Sequence, residues 1–303
     1  MSPLFGGIEA GGTKFVCAVG TGPEDLCDEV RFPTTTPQET LARTVDYFKA
    51  AEAKHGKLEA IGIGSFGPVD LDRASPTYGY ITSTPKPGWA YASFVQPLQQ
   101  VFDIPIGFDT DVNVAGYGEW RYGAAQGLDT FIYLTIGTGI GGGGLVNGKM
   151  MHGLVHPEMG HILLPLEEGP HAFKGICPFH GHCFEGLASG PAMNARWGVP
   201  AETLPPDHEA WKIEARTISI ALAGLIVVLS PQRIILGGGV MQQKQLFPMI
   251  HKEVVNVLNG YVQSPLITER VAEYIVKPQL GTRSGILGAI ALARDTAKEQ
   301  SLN

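Results

Sequence analysis

Asp111 lies in the run Asp109-Thr110-Asp111-Val112-Asn113, just past a short apolar stretch that reads as a buried strand. A carboxylate at a strand end can accept the proton of a hydroxyl while that oxygen attacks a phosphoryl group, the base role that phosphoryl transfer requires. Asp109 is the nearest rival for this role, and an Asp serving as a helix N-cap is the structural alternative. A phosphoryl donor would need a cradle, and three Gly-rich turns could supply one. In Glu9-Ala10-Gly11-Gly12-Thr13-Lys14, consecutive glycines let backbone N–H groups approach phosphate oxygens, Thr13 can donate a hydroxyl and Lys14 a charge. It is not a Walker loop, because the long spacing before Gly-Lys-Ser/Thr is absent and a strand follows. An ordinary hairpin with glycines at positive φ is the alternative.

The second turn, Thr135-Ile136-Gly137-Thr138-Gly139-Ile140 followed by four glycines, sits between apolar flanks. Such a density of glycine weakens a strand, so close approach of a ligand or a tight barrel corner must account for it. The third, Ile234-Ile235-Leu236-Gly237-Gly238-Gly239, ends an apolar strand just before a helix, where nucleotides commonly bind in α/β sheets. Between residues 156 and 185 the chemistry changes. Cys177-Pro-Phe-His180-Gly-His182-Cys183 with His161 upstream offers two thiols and two imidazoles, the donor set tetrahedral zinc prefers. His182 or His171 could replace one of these histidines, and two free thiols among incidental histidines is the alternative. His152 and His156 carry no assignment and could be ordinary packing residues.

The elements that must place these residues can be read from local patterns. Thr36 as cap, Pro37 at the first helical position and Glu39 three residues after the cap open a helix to about His55, which Gly56 stops. Leu58 to Ser65 reads as a buried strand ending at Gly67-Pro68, and 70–91 as a long irregular loop of the kind that often binds. A short helix near 93–102 and a strand at 105–108 follow. After a polar-aromatic segment at 116–127 come a strand at 130–136, a long apolar helix near 208–229, a strand at 233–236, a helix near 243–258, a strand at 271–276 and a last helix near 283–297. This alternation predicts an α/β layered fold. Phe5 to Gly20 and Phe131 to Gly148 both read strand, Gly-rich turn, strand, which suggests two related domains.

Bulk properties bound the function. The 303 residues suit two domains with a cleft. With 22 basic and 29 acidic residues the net charge is −7, and no Lys/Arg stripe offers a footprint for nucleic acid. The longest apolar stretch, Ile218 to Leu229, is well short of the roughly 20 residues of a membrane helix, so no membrane partner is expected. Four cysteines at 17, 27, 177 and 183 do not form a disulfide framework. The N-terminal Met1 to Gly7 has neither a basic region nor an apolar signal core, which predicts a cytoplasmic protein.

Taken together, these motifs resemble the ROK family of sugar kinases, within the actin/hexokinase-like ATPase superfamily, in the same order and from Gly6 to about Ala291. The resemblance implies two ribonuclease H-like α/β domains around an interdomain cleft. These are a small one at 1–115 and a larger one at 116–303 that carries the zinc loop, with the last helix packing back on the first. It implies ATP and Mg²⁺ as cofactors, a structural Zn²⁺, a sugar substrate and a homodimer. The Asp-x-Asn base motif falls on Asp111-Val112-Asn113. Glu9, Gly11, Gly12, Thr13, Lys14, Thr135, Gly137, Thr138, Gly139, Gly237 and Gly238 would then meet the nucleotide. Gly67, Pro68, Asn113, Glu158, His161 and Glu185 would meet the sugar, and His161, Cys177, His180 and Cys183 the zinc. Glu9 stands where many members have Asp, Thr110 where an Asn contacts sugar, and His180 where a third Cys is usual. With Thr84-Pro-Lys-Pro-Gly-Trp89 and His156-Pro-Glu158, these departures look like the fructokinase branch. Fructose is therefore expected over glucose. A sugar-responsive regulator would carry a helix-turn-helix ahead of the first Gly-rich loop, where about four residues stand here.

Overall fold

The computed structural model describes residues 3–301. The chain divides into two compact units. The first comprises Met1–Gly127, Met150–His156 and Gln279–Asn303, the second Leu128–Lys149 and Pro157–Pro278. The boundary expected after residue 115 falls inside a helix, and the C-terminal segment belongs with the first unit.

In the first unit, strands β1 (Leu4–Ala10), β2 (Lys14–Gly22) and β3 (Asp25–Pro33) lead into helix α1 (Pro37–His55), β4 (Leu58–Ser65), α2 (Val95–Phe102), β5 (Ile106–Thr110) and α3 (Asp111–Tyr122). The sheet runs β3-β2-β1-β4-β5, antiparallel across β1–β3 and parallel from β1 through β4 to β5. Helix α1 starts as its sequence dictates: Thr36 Oγ1 accepts the N–H of Glu39 at 3.3 Å, Pro37 fills the first turn and Gly56 ends it. The reciprocal half of the capping box is replaced by an ion pair, since Glu39 takes the Arg43 guanidinium at 2.6 Å.

Residues 111–122, for which no helix was read and whose second half falls in the polar-aromatic segment expected at 116–127, form α3. Its glycines hide the helical pattern, yet they are what the packing needs. A Cβ on Gly118 would strike the backbone of Ser284 and Gly288, and one on Gly288 would strike the carbonyl of Val114. The two helix backbones therefore meet at a spacing only glycine permits. The partner is the C-terminal helix (Ser284–Ser301), which buries Ile286, Leu287, Ile290 and Ala293 against β1, β2 and β4. Each fully buried Ile there stabilises by about 1.5–3 kcal/mol.

The second unit repeats the plan. Strands β6 (Phe131–Ile136), β7 (Ile140–Val146), β8 (Lys149–Met150), β9 (Ile234–Gly237) and β10 (Ile275–Val276) form a sheet of order β10-β9-β6-β7-β8. The β6–β7 pair is antiparallel and β6, β9 and β10 are parallel, so β7-β6-β9-β10 repeat the order and directions of β2-β1-β4-β5 in the first sheet. Between β8 and β9 lie α4 (Phe184–Ala188), α5 (Gly190–Trp197) and α6 (Ala210–Leu229), and α7 (Leu246–Leu258) follows β9. The strand expected at 271–276 is shorter. Val271–Tyr274 closes a helical turn in which Glu273 N–H meets Arg270 C=O at 2.8 Å, leaving two residues to pair with β9.

Candidate active site

Strand β5 pairs in parallel with β4 and ends at Thr110, whose Oγ1 accepts the Asn113 N–H at 3.2 Å and caps α3. The cap is thus Thr110 and not an aspartate. Asp109 is 1% exposed and fully committed: Oδ1 accepts from Thr110 N–H at 2.7 Å and Asn113 Nδ2 at 2.8 Å, while Oδ2 meets His152 Nε2 at 2.7 Å. Asp111 occupies the first helical position, partly exposed, with Oδ1 accepting the Val112 N–H at 2.9 Å. Of the two acids, Asp111 is the more exposed. Asn113 is fully buried, its amide donated to Asp109 and to Met151 C=O at 3.4 Å.

Two histidines without a sequence assignment belong here. His156, buried, accepts the Val69 N–H on Nε2 at 3.1 Å and so holds the segment after Gly67 and Pro68, whose peptide bond is cis. His152 is half-exposed, and its bond to Asp109 raises its pKa above the usual value, against the smaller opposing effect of burial. Their only sequence signal is proximity to the His156-Pro157-Glu158 run. For a group whose folded pKa is raised, the stability it contributes is complete below the unfolded pKa, about 6.5, and is lost as pH rises through the folded value. The destabilisation caused by His152→Gln is therefore expected to be larger at about pH 6 than at about pH 9. Denaturant midpoints of both proteins at the two pH values check this.

The first Gly-rich turn joins β1 to β2. Gly11 N–H meets Lys14 C=O at 3.0 Å, and Thr34, a residue the motif reading passed over, ties the turn by donating Oγ1 to Gly11 C=O at 2.7 Å and its N–H to Thr13 C=O at 2.9 Å. Gly12, Thr13 and Lys14 are left exposed. Burial raises the Glu9 carboxyl above its ordinary value, with the charges of Lys14 and Arg31 acting against it, and the Ile286 N–H at the start of the C-terminal helix donates to it.

In the second unit the β6–β7 turn places Thr135, Gly137, Thr138 and Gly139 at the surface or half-exposed. Gly137 C=O accepts the N–H of Gly190 at 2.8 Å, and Ile140 N–H donates to Glu185 Oε2 at 2.8 Å. Part of the glycine run that follows serves packing, since a Cβ on Gly142 would lie 2.7 Å from Met159. The third turn closes on the second: Gly238 has φ +94°, and a Cβ there would strike the backbone of Ile136. Gly237 is buried beside the Tyr133 hydroxyl.

Glu158 leads a 3₁₀ turn, Met159–His161, held by His161 N–H to Glu158 C=O at 2.9 Å. That turn delivers His161 to the cysteines. The ligand atoms of His161, Cys177, His180 and Cys183 all lie within 4.8 Å of one another. His161 Nδ1 is 3.8 Å from Cys177 Sγ and 3.5 Å from Cys183 Sγ, and His180 Nδ1 is 3.6 Å from Cys177 Sγ. A tetrahedral zinc with ordinary bond lengths sets its S···N edges at about 3.6 Å, close to these three distances. Burial pushes the Cys183 thiol up to about 11, and a thiolate there at neutral pH requires a neighbouring cation. His182 and His171 lie outside the group, the first bonded to Leu164 C=O at 2.9 Å and the second paired with Glu209 at 3.1 Å.

Two duplicated sheets, each opening on a Gly-rich strand–turn–strand, with an acid at the end of β5, define an actin/hexokinase-like protein. The chain belongs to the ROK family, whose family model matches residues 5–296. Among curated relatives, the fructokinase of Streptococcus mutans is 45% identical over 300 residues, covering 98% of this chain and 99% of that one. The ROK hexokinase of Thermus thermophilus superposes with a TM-score of 0.78 at 27% identity, over 98% of this chain and 99% of that one. A ROK glucokinase of Streptomyces griseus, solved with glucose and AMPPNP, gives a TM-score of 0.71 at 27% identity, over 97% and 99% of the two chains. Among the described residues no helix is long and apolar enough to cross a membrane.

Proposed function

We propose that this chain is an ATP-dependent kinase that phosphorylates the 6-hydroxyl of fructose, with Asp111 as the base. The observation that carries the assignment is the burial of Asp109 and its commitment to Thr110, Asn113 and His152, beside a partly exposed Asp111 at the start of α3. The fructokinase name of the 45% identical relative supports fructose as the sugar. Asp111 would take the hydroxyl proton as the oxygen attacks the γ-phosphoryl group in line. Backbone donors of the turns at Gly11–Lys14 and Gly137–Gly139 would hold the phosphates, with Thr13, Thr138 and Lys14 offering side-chain donors and Thr135, Gly237 and Gly238 lying toward the rest of the nucleotide. Magnesium, when bound with the nucleotide, offsets the phosphate charge, and Glu9 would act on it through water. Glu158, His161 and Glu185 would take sugar hydroxyls, Gly67 and Pro68 would border the sugar on a segment that His156 holds, and Asn113 would act by fixing Asp109 and Met151. Turnover of ATP measured against a panel of hexoses tests the reading. Fructose is expected to give the highest kcat/KM, and a preference of more than about tenfold for glucose or mannose would overturn the choice of sugar.

The Cys/His loop would hold one structural zinc through His161, Cys177, His180 and Cys183, which the edge spacing of the donor atoms supports. The metal would shape the sugar side without entering the reaction, because its loop carries both His161, itself a ligand, and Glu185, two residues after the ligand Cys183. Purified protein should contain about one zinc per chain, and chelation should lower sugar affinity and thermal stability together. Elemental analysis and melting curves check this; protein without zinc that binds sugar normally would refute it. A homodimer, expected from the family resemblance, completes the proposal, and sedimentation of the purified protein tests it.

A further inference from the structure

Glu185, an acid of the proposed sugar set, has its carboxylate bonded to a proposed phosphate turn. It sits in the first turn of α4, two residues after Cys183, and its Oε2 accepts the Ile140 N–H at 2.8 Å where the β6–β7 turn re-enters its strand. The approach is close: a Cβ on Gly139 would stand 2.7 Å from the same oxygen, so only glycine at 139 lets the carboxylate reach its donor. A second bond, from Gly190 N–H to Gly137 C=O at 2.8 Å, fixes the other side of the turn to the start of α5. The short segment Phe184–Gly190 thus grips the turn at both ends. One oxygen of Glu185 is used in this grip, and its other oxygen makes a carboxylate able to accept from a second partner at the same time.

We propose that Glu185 is a positioning residue for the second phosphate turn, and that through its two oxygens it couples occupancy of the sugar site to the shape of the nucleotide site. This rests on the kinase reading above. A hydroxyl donated to Oε1 holds the carboxylate against Ile140 N–H, which orders the Gly137–Gly139 backbone for phosphate. Bound phosphate in turn holds the turn in the form that keeps Glu185 in place. Because the coupling is reciprocal, each ligand raises the affinity of the other by the same factor.

The test reads each side of the couple from the other. Binding of a non-hydrolysable ATP analogue with Mg²⁺ is measured by calorimetry without sugar, and binding of fructose without nucleotide. A residue that only contacted sugar would leave the first quantity unchanged. Glu185→Ala and Glu185→Asp, which loses reach but keeps the charge, are each expected to weaken the analogue about tenfold, whereas Glu185→Gln keeps an acceptor and stays within about threefold of wild type. Gly139→Ala, placed on the phosphate turn, is expected to weaken fructose about tenfold by displacing the carboxylate. Melting curves and zinc content confirm that each variant is folded, and the Gln, Asp and Gly139 variants decide the matter if the Ala variant is not. Analogue affinity equal to wild type in Glu185→Asp, or unchanged fructose affinity in Gly139→Ala, overturns the inference and leaves the kinase reading intact. Wild-type protein that binds no analogue at all overturns both.

Discussion

Replacing Asp111 by Asn is expected to lower kcat by about 10²–10⁴-fold while the affinity for an ATP analogue stays within about twofold. The substitution is nearly isosteric, and the Asn oxygen can still accept the Val112 N–H that Asp111 Oδ1 accepts at 2.9 Å. Thr110 continues to cap α3, so the local backbone has no reason to move. What is lost is the ability to receive a proton from the attacking hydroxyl, a property needed in the transition state and not for binding. The fall should therefore appear in kcat, with KM for fructose changed little. The neighbouring acid supplies the control. Asp109→Asn disturbs the bonds to His152 and Asn113 inside a buried cluster, and its main effect is expected on stability. Steady-state kinetics of both variants separates the roles, and near-normal turnover in Asp111→Asn would sink the assignment of the base.

The largest effect on stability is expected at Glu119, which no motif singled out. It is fully buried on α3, and its carboxylate receives four donors: Ala124 N–H at 2.7 Å and Gln279 N–H at 3.0 Å on Oε2, Leu280 N–H at 2.9 Å and Ser284 Oγ at 2.7 Å on Oε1. These bonds fasten the end of α3 to the segment that opens the C-terminal helix. Glu119→Ala strands all four donors in a space too confined for each to regain a full partner. At about 1–3 kcal/mol for each unmet buried donor, and allowing for some entry of water, the loss is expected to be about 3–5 kcal/mol. That corresponds to a fall in Tm of about 10 °C. Glu119→Gln is expected to fall in between, since its NH₂ cannot accept. A Tm within about 2 °C of wild type for Glu119→Ala would show that the anchor is dispensable.

Much of the fold follows from short-range rules. Thr36, Pro37 and Gly56 bound α1 because capping oxygens, fixed proline φ and permissive glycine act within a few residues. Apolar runs bounded by Gly-rich turns mark β1–β2 and β6–β7, and their repetition already implies two related sheets. The Cys-x-x-His-x-x-Cys spacing brings its own donors together, so the close grouping of thiols and imidazoles was legible apart from the choice among histidines.

What the sequence alone could not settle involves partners distant along the chain. Asp109 and Asp111 are chemically alike, and only the tertiary structure buries one of them against His152, 43 residues on, and keeps the other partly exposed. Helix α3 was missed because Gly116 and Gly118 depress helix propensity, and its stability comes from a close crossing with the C-terminal helix that no local pattern encodes. In the same way, Asn113 turned out to be a buried support, and Glu185 a carboxylate joined to Ile140. Local backbone preferences and residue types thus determined the strands, the turns and the inventory of chemical groups. Burial and hydrogen bonds between distant segments decided which of the two acids is enclosed and which keeps a partly exposed carboxylate.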